Sequence, residues 1–289
     1  AVDWLILDTI APYGSILIDN YTNKATITLS LTYHDETSGL HQTRYSTDTS
    51  NWTAWETPQA TRTYTLSPVS GTYTLYYELR DKASNTTLVS DSIILDLQSP
   101  TVSLSIDGGA SHTQDNEVLL AINFADNLSE VEYMRVANGP DPSLATWTAI
   151  SDTKIWLITD GTVSIQVKDR AGNISLIATD TIILDSTSPS LQATLTGTSL
   201  YPETYTQTPI ISYEVTVSEP GTLTFSEDSQ VFSSATTVSA GTTKGSWTFS
   251  LGDGKRFLYI KHTDTSDRTA AAVDWLILDT IAPYGSILI

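Results

Sequence analysis

The chain has no cysteine, so disulfides add nothing to its stability and thiol nucleophiles are excluded. Basic residues are scarce: 14 Lys and Arg stand against 33 Asp and Glu, and the formal net charge is −19. With that balance and no basic run, nucleic acid and anionic membrane surfaces are poor partners, whereas bound cations suit the charge. No stretch reaches the eighteen or so apolar residues of a spanning helix, so this segment contains no membrane span. The four histidines, His34, His41, His112 and His262, stand singly. There is no His-x-x-x-His pair, no GxSxG elbow and no phosphate-binding glycine loop, which leaves no basis for an enzyme.

What the chain does have is repetition. Residues Ala272 to Ile289 repeat Ala1 to Ile18 letter for letter, a period of 271 residues. From this we expect the chain to be a stretch of a longer tandem array. Inside the period a weaker tag recurs, with two aspartates five residues apart and a proline four residues on: Asp3/Asp8/Pro12, Asp91/Asp96/Pro100, Asp180/Asp185/Pro189 and Asp274/Asp279/Pro283. The second aspartates are separated by 88, 89 and 94 residues, which divides the period into three modules over 12–96, 100–185 and 189–279. Residues 1–8 read as the closing strand of a preceding module, and 283–289 as the opening strand of the next.

Hydrophobic content of 40% is enough for folded domains of this size. The apolar pattern has period two. After each linker proline come Gly14, Ile16, Ile18, then Val102, Leu104, Ile106, then Leu191, Ala193, Leu195. A second alternating run follows in each module, at Ile27 to Tyr33, Val118 to Phe124 and Ile211 to Val217. An aromatic strand and a turn glycine come later (Tyr64 and Gly71, Trp156 and Gly161, Trp247 and Gly254), and each module closes on DSIILD, DTIILD or DWLILD. No amphipathic helix is evident. Seven or so short strands with polar turns in about ninety residues predict an all-β fold of antiparallel two-sheet sandwiches.

The stretches RDKASNTTLVSDSIILDLQSP (Arg80 to Pro100) and KDRAGNISLIATDTIILDSTSP (Lys168 to Pro189) resemble the ending of bacterial immunoglobulin-like repeats, and Tyr45 to Trp55 resembles an upstream segment of the same repeats. The third module departs, with HTDTSDR (His262 to Arg268) in place of the Ala-Gly-Asn turn and no Trp-x-x-Trp segment. The resemblance implies tandem immunoglobulin-like sandwiches in an extended array, serving as the stalk of cell-surface adhesins or extracellular filaments.

In such a sandwich the BC and FG loops lie where the chain enters, and the last strand leaves at the opposite end. Three groups of acids should then converge: Asp8 with Asp35 and Asp81, Asp96 with Asp126 and Asp169, and Asp185 with Glu219 and Asp264. Such trios suit calcium, a hard cation that takes six to eight oxygens, the only cofactor the sequence suggests. The bland reading is that each aspartate caps its own turn. Trp52, Trp55, Trp147, Trp156 and Trp247 recur at strand spacing and are expected to pack against the cores rather than to line a sugar-binding face. Asn20, Asn51, Asn85, Asn127 and Asn173 begin glycosylation sequons, of which Asn85 and Asn173 fall in the turn motif. Lys-to-Asn cross-links are not expected, since no asparagine follows Asn173.

The reading that emerges is a non-catalytic structural repeat at or outside the cell surface, with further copies of the repeat as covalent neighbours and lateral self-association as a further partner mode. Two rivals are a ligand- or carbohydrate-binding adhesin module, for which the long third module is the candidate, and a subunit that polymerises by donating a strand.

Overall fold

The computed structural model describes residues 6–159, 161–197 and 205–285, and among them there are strands and no helix. The chain forms two compact units, residues 1–110 with 117–182 and residues 111–116 with 183–289.

In the first unit, β1 (Tyr13–Leu17), β3 (Thr26–His34) and β5 (Thr61–Thr65) form one sheet. β2 (Tyr21–Thr22), β7 (Thr86–Leu95), β6 (Gly71–Asp81) and β4 (Leu40–Ser46) form a second, in that order. Strands 1, 3 and 5 thus face strands 2, 7, 6 and 4, the distribution of an immunoglobulin-like sandwich. The chain changes sheets between β1 and β2, and β2 pairs parallel with β7 (Tyr21 with Ile94, Thr22 with Leu95). The alternation in β3 buries Ile27, Leu29 and Leu31 and leaves Thr26, Thr28 and Ser30 outside. They meet Tyr45, Leu75, Tyr77, Leu79, Ile93 and Leu95 from the opposite sheet.

The same unit holds a second core. β8 (Thr101–Ile106), β10 (Glu117–Ala125) and β13 (Thr153–Leu157) make one sheet, and β11 (Val131–Asn138), β12 (Thr148–Ala149), β14 (Thr162–Asp169) and β15 (Ala178–Thr181) the other. Ile106, Leu120, Val163, Ile165 and Val167 are fully enclosed between them. Gly161 turns into β14 with φ of 65°, and a Cβ there would lie 2.3 Å from the Ile182 carbonyl oxygen, so both the backbone and the space demand glycine.

The second unit contains a short parallel pair, β9 (His112–Thr113) with β16 (Ile183–Leu184), and a third core. β17 (Leu191–Thr196), β19 (Ile210–Val217) and β22 (Gly241–Thr248) face β18 (Tyr205–Thr206), β20 (Gly221–Ser226), β21 (Thr236–Val238), β23 (Gly254–Asp264) and β24 (Thr269–Leu278). Val215, Leu223, Leu258, Ile260 and Leu276 are buried there.

Several features depart from the sequence reading. Trp156 and Trp247 pack against the second and third cores as expected. Trp52, Trp55 and Trp147 do not: they lie on the outer face of their sheets, stacked with cations. Arg44 sits 4.6 and 4.5 Å from Trp52 and Trp55, Arg80 4.1 Å from Trp55, and Arg135 and Lys168 4.6 and 4.8 Å from Trp147. The cause is the outward phase of these cations on β4, β6, β11 and β14, whose methylene stems and charge cover the indoles. The turn that precedes Trp52 is also present in the third sandwich. Asp48 Oδ1 accepts the amides of Ser50 and Asn51, and Asp228 Oδ1 accepts those of Gln230 and Val231. Thr49 and Ser229 share a positive φ, 58° and 63°. Phe232 stands where Trp52 does, so the segment is altered rather than missing. The strands expected over 1–8 and 283–289 fall largely outside the described residues; Ile6, Leu7, Asp8 and Pro283 to Gly285 are not in strands.

Candidate metal centres

Each long strand of the second sheet carries its inward phase to a final buried aspartate. Burial along β6 runs Leu75, Tyr77, Leu79, Asp81, and β14 and β23 end in the same way on Asp169 and Asp264. Asp81 and Asp169 are each 1% exposed and Asp264 5%. These residues meet the linker aspartates in the groups expected from sequence. Asp8, Asp35 and Asp81 offer oxygens that all lie within 4.8 Å of one another, and so do Asp96, Asp126 and Asp169, and Asp185, Glu219 and Asp264.

The linker aspartates are turn formers as well as trio members. Their Oδ1 atoms accept the amide two residues on: Ile10 to Asp8 at 3.0 Å, Gln98 to Asp96 at 3.0 Å, Thr187 to Asp185 at 3.1 Å and Ile281 to Asp279 at 3.2 Å. Their Oδ2 atoms reach the module that follows, where Ser38 N donates to Asp8 at 3.0 Å, Ser129 Oγ to Asp96 at 2.8 Å and Ser266 Oγ to Asp185 at 3.0 Å. The Ser38 hydroxyl and then the Ile10 amide hold the Asp8 carboxyl below the usual carboxylate range, against the effect of burial. For Asp185 the Thr187 hydroxyl does most, followed by the Thr187 amide.

The BC-loop acids are tied into their own turns. Asp126 Oδ2 takes three amides, from Leu128, Ser129 and Glu130, at 3.0, 2.8 and 3.0 Å, and Asp35 accepts the amide of Gly39. The FG-turn acids accept the amide four residues on, Asn85 to Asp81, Asn173 to Asp169 and Arg268 to Asp264, each at 2.8 Å. Asn85 and Asn173 also donate from Nδ2 to the second carboxylate oxygen at 2.8 Å and to the linker carbonyls of Asp8 and Asp96 at 3.2 and 3.0 Å. Both sequon amides are therefore occupied inside the fold, while Asn20, Asn51 and Asn127 are exposed.

Where Arg268 replaces this asparagine, its guanidinium donates to the Ser186 carbonyl at 2.6 Å and Asp264 Oδ2 is buried with no hydrogen-bond partner. Asp126 Oδ1 is buried without one as well. Buried carboxylate oxygens are costly unless something positive meets them. The donor set fits a hard divalent cation: carboxylate oxygens, already oriented by amides, with linker carbonyls beside them.

The first aspartate of each tag has a separate structural role that the sequence reading missed. Asp91, Asp180 and Asp274 have the inward phase of their strands and lie five residues before the linker aspartates Asp96, Asp185 and Asp279. Each carboxylate takes the next residue's amide on Oδ1 at 2.8 Å (Ser92, Thr181, Trp275). On Oδ2 each takes an amide within one residue of the end of the module's first strand, Ile18 at 2.9 Å, Ile106 at 2.8 Å and Leu195 at 2.8 Å. The last strand is thereby clasped to the first across the open side of the sandwich. Asp3 lies outside the described residues.

No family model matches the chain, and no curated protein matches it. Among solved structures it is similar to fibronectin(III)-like modules of Clostridium thermocellum CbhA (12% identity, 60% of this chain and 95% of that one, TM-score 0.40). It is similar to a tetra-tandem repeat from the extending region of a large adhesion protein (19% identity, 95% and 76%, TM-score 0.33). A third is the set of three N-terminal domains of the bacteriophage RB49 Highly Immunogenic Outer Capsid protein (13% identity, 93% and 100%, TM-score 0.39). The superpositions are too loose to carry a functional argument, and the fold assignment rests on the strand order above.

Proposed function

We propose that the chain is a structural repeat segment of an extracellular stalk or filament, that its repeat units are 12–96, 100–185 and 189–279, and that its three acidic trios bind calcium. The observation that carries the reading is recurrence. The same linker aspartate, BC-loop acid and FG-turn aspartate come together three times, in sequences that otherwise differ. A catalytic or ligand-specific site would be expected once, whereas a device that fixes each linker to the module after it must be repeated at every linker. Verbatim repetition over a period of 271 residues supports the same reading, because length can be selected by duplication. The linker prolines Pro12, Pro100 and Pro189 are buried and fix φ, which restricts the linkers further.

Calcium would neutralise carboxylates that otherwise repel one another and would cross-link linker to loop. Metal-stripped protein titrated with calcium in a calorimeter should show uptake, and Asp96→Asn with Asp169→Asn should remove the share of one trio. Small-angle scattering should show a chelator loosening the array, while the melting temperature falls little because the apolar cores remain. Absence of calcium uptake defeats the metal reading. A chelator effect confined to melting defeats the stiffening role.

A further inference from the structure

The third sandwich differs from the other two at one connected set of surface positions. On the outer face of the second sheet, β6 and β7 place Thr74 opposite Ser92, with their hydroxyls 2.9 Å apart. β14 and β15 place Thr162 opposite Thr181. In the third sandwich the same positions carry Phe257 and Trp275. Lys255, two residues before Phe257, holds its ammonium 3.8 Å from the Trp275 ring centroid and 4.9 Å from that of Phe257. Thr72 is its counterpart in the first sandwich, and Tyr73 is that of Arg256. Phe232 has the place of Trp52, but Thr224 has that of Arg44, and among the described residues no cation stacks on the Phe232 ring. Two aromatics and two cations have thus been gained, and a third aromatic has been uncovered.

Phe232, Phe257, Lys255 and Arg256 line a cleft of about 620 Å³ together with Phe225 and Trp247, and Trp275 adjoins it through Lys255 and Phe257. Its acids are already engaged. Glu227 accepts the amide and hydroxyl of Ser250 and the Trp247 indole, and Asp228 accepts its turn amides and the Ser226 hydroxyl. Neither Lys255 nor Arg256 forms an ion pair among the described residues. In a chain of net charge −19, a lining in which two cations balance two acids is locally neutral, and Lys255 and Arg256 are left without a carboxylate partner among the described residues.

We propose that this cleft binds an acidic saccharide, a sugar ring lying on Phe257 and Phe232 with its carboxylate or sulfate on Lys255. The volume suits one to three sugar rings and is far too small for a protein partner, whose interface needs hundreds of square ångströms on each side. The exposed rings are only about a third accessible (Phe232 37%, Phe257 36%, Trp275 39%), enough to stack on the C–H face of a sugar. Ser226, Ser233 and Ser250 also line the cleft, their hydroxyls donating to Asp228, to the Ser234 carbonyl and to Glu227. The proposal is independent of the stalk reading and of calcium.

The test uses the full chain and three probes, trigalacturonic acid, neutral maltotriose and a short polyglutamate peptide, followed by tryptophan fluorescence and calorimetry. Trigalacturonic acid should bind at least tenfold more tightly than the other two. Phe257→Thr with Trp275→Ser restores the pair found in the first sandwich, so folding should be retained; binding should fall at least tenfold with the melting temperature little changed. Lys255→Thr should abolish the preference for the acidic sugar over the neutral one. Equal binding of acidic and neutral sugars, binding of polyglutamate alone, no binding at all, or full binding by the double variant overturns the proposal.

Discussion

The side-chain amide of Asn173 donates to the Asp96 carbonyl at 3.0 Å, so a turn of the second sandwich holds the linker that leads into it. Its other contact, Asp169 Oδ2 at 2.8 Å, fixes the acid of the trio. Asn173→Ala removes both bonds and leaves two buried acceptors short of a donor. We expect a loss of about 1–3 kcal/mol in stability and faster proteolysis of the linker, against less than about 0.5 kcal/mol for exposed Asn127→Ala. Equal effects from the two substitutions would remove the tether from the account.

The clasp made by Asp180 gives a local prediction. Asp180→Ala frees the Ile106 amide, which now donates to Oδ2 at 2.8 Å at the end of β8. A loss of about 1–3 kcal/mol is expected, with amide exchange at Ile106 accelerated far more than exchange in β14. Uniform acceleration through the sandwich would mean that the clasp has no local role.

His262 is fully buried, and neither ring nitrogen has a hydrogen-bond partner. The corresponding residues, Leu79 and Val167, are apolar and equally buried. Replacing the ring by leucine removes two unsatisfied nitrogens, so His262→Leu should stabilise the sandwich by roughly 1–2 kcal/mol, read as a higher melting temperature. Gly221 faces this ring: a Cβ there would come 2.7 Å from Nε2 and 2.2 Å from the Thr263 carbonyl oxygen. Gly221→Ala should therefore destabilise, and His262→Leu should not rescue it, because the carbonyl stays in place.

Alkaline pH should weaken the first sandwich. Tyr45 and Tyr77 are stacked in its core with centroids 5.1 Å apart. Burial pushes the Tyr45 phenol up to about 12 and the Tyr77 phenol higher still. The fold thus favours the neutral phenol. Its contribution is intact below pH ~10, where unfolded tyrosine begins to ionise, and is lost as pH rises through about 12. Urea titrations at pH 9 and 11.5 should differ by on the order of 2 kcal/mol, and Tyr45→Phe should narrow that difference. An unchanged difference in the variant would assign the alkaline loss to other groups.

Much of the fold could be read from the sequence because period-two burial in strands such as β3 and β10 leaves an apolar signature that nothing else produces. The acidic trios were legible for a different reason: once the sandwich is assumed, its topology fixes which loops share an end. β4, β11 and β20 were not legible, since outward cations and threonines dilute their alternation, as in Leu40 to Ser46. The short strands β2, β9 and β18 are two residues long and carry no pattern. The role of Asp91, Asp180 and Asp274 depends on a partner more than seventy residues away, and only the fixed spacing of the tag hinted at it. The cleft beside Phe257 became visible only when strand registers aligned Phe257 and Trp275 with Thr74 and Ser92.

The switch of the chain between β1 and β2 has a mechanical consequence. β2 lies near the start of its sandwich, β7 closes it, and the two run parallel with Tyr21 on Ile94 and Thr22 on Leu95. Tension applied through the two ends of that sandwich pulls β2 and β7 in opposite directions along their common axis. The hydrogen bonds between them are then loaded in shear and must fail together, not one after another as when a hairpin is unzipped. The β18–β24 pair has the same arrangement in the third sandwich. A segment under drag would resist extension through a few backbone bonds, with its hydrophobic cores held in reserve behind them.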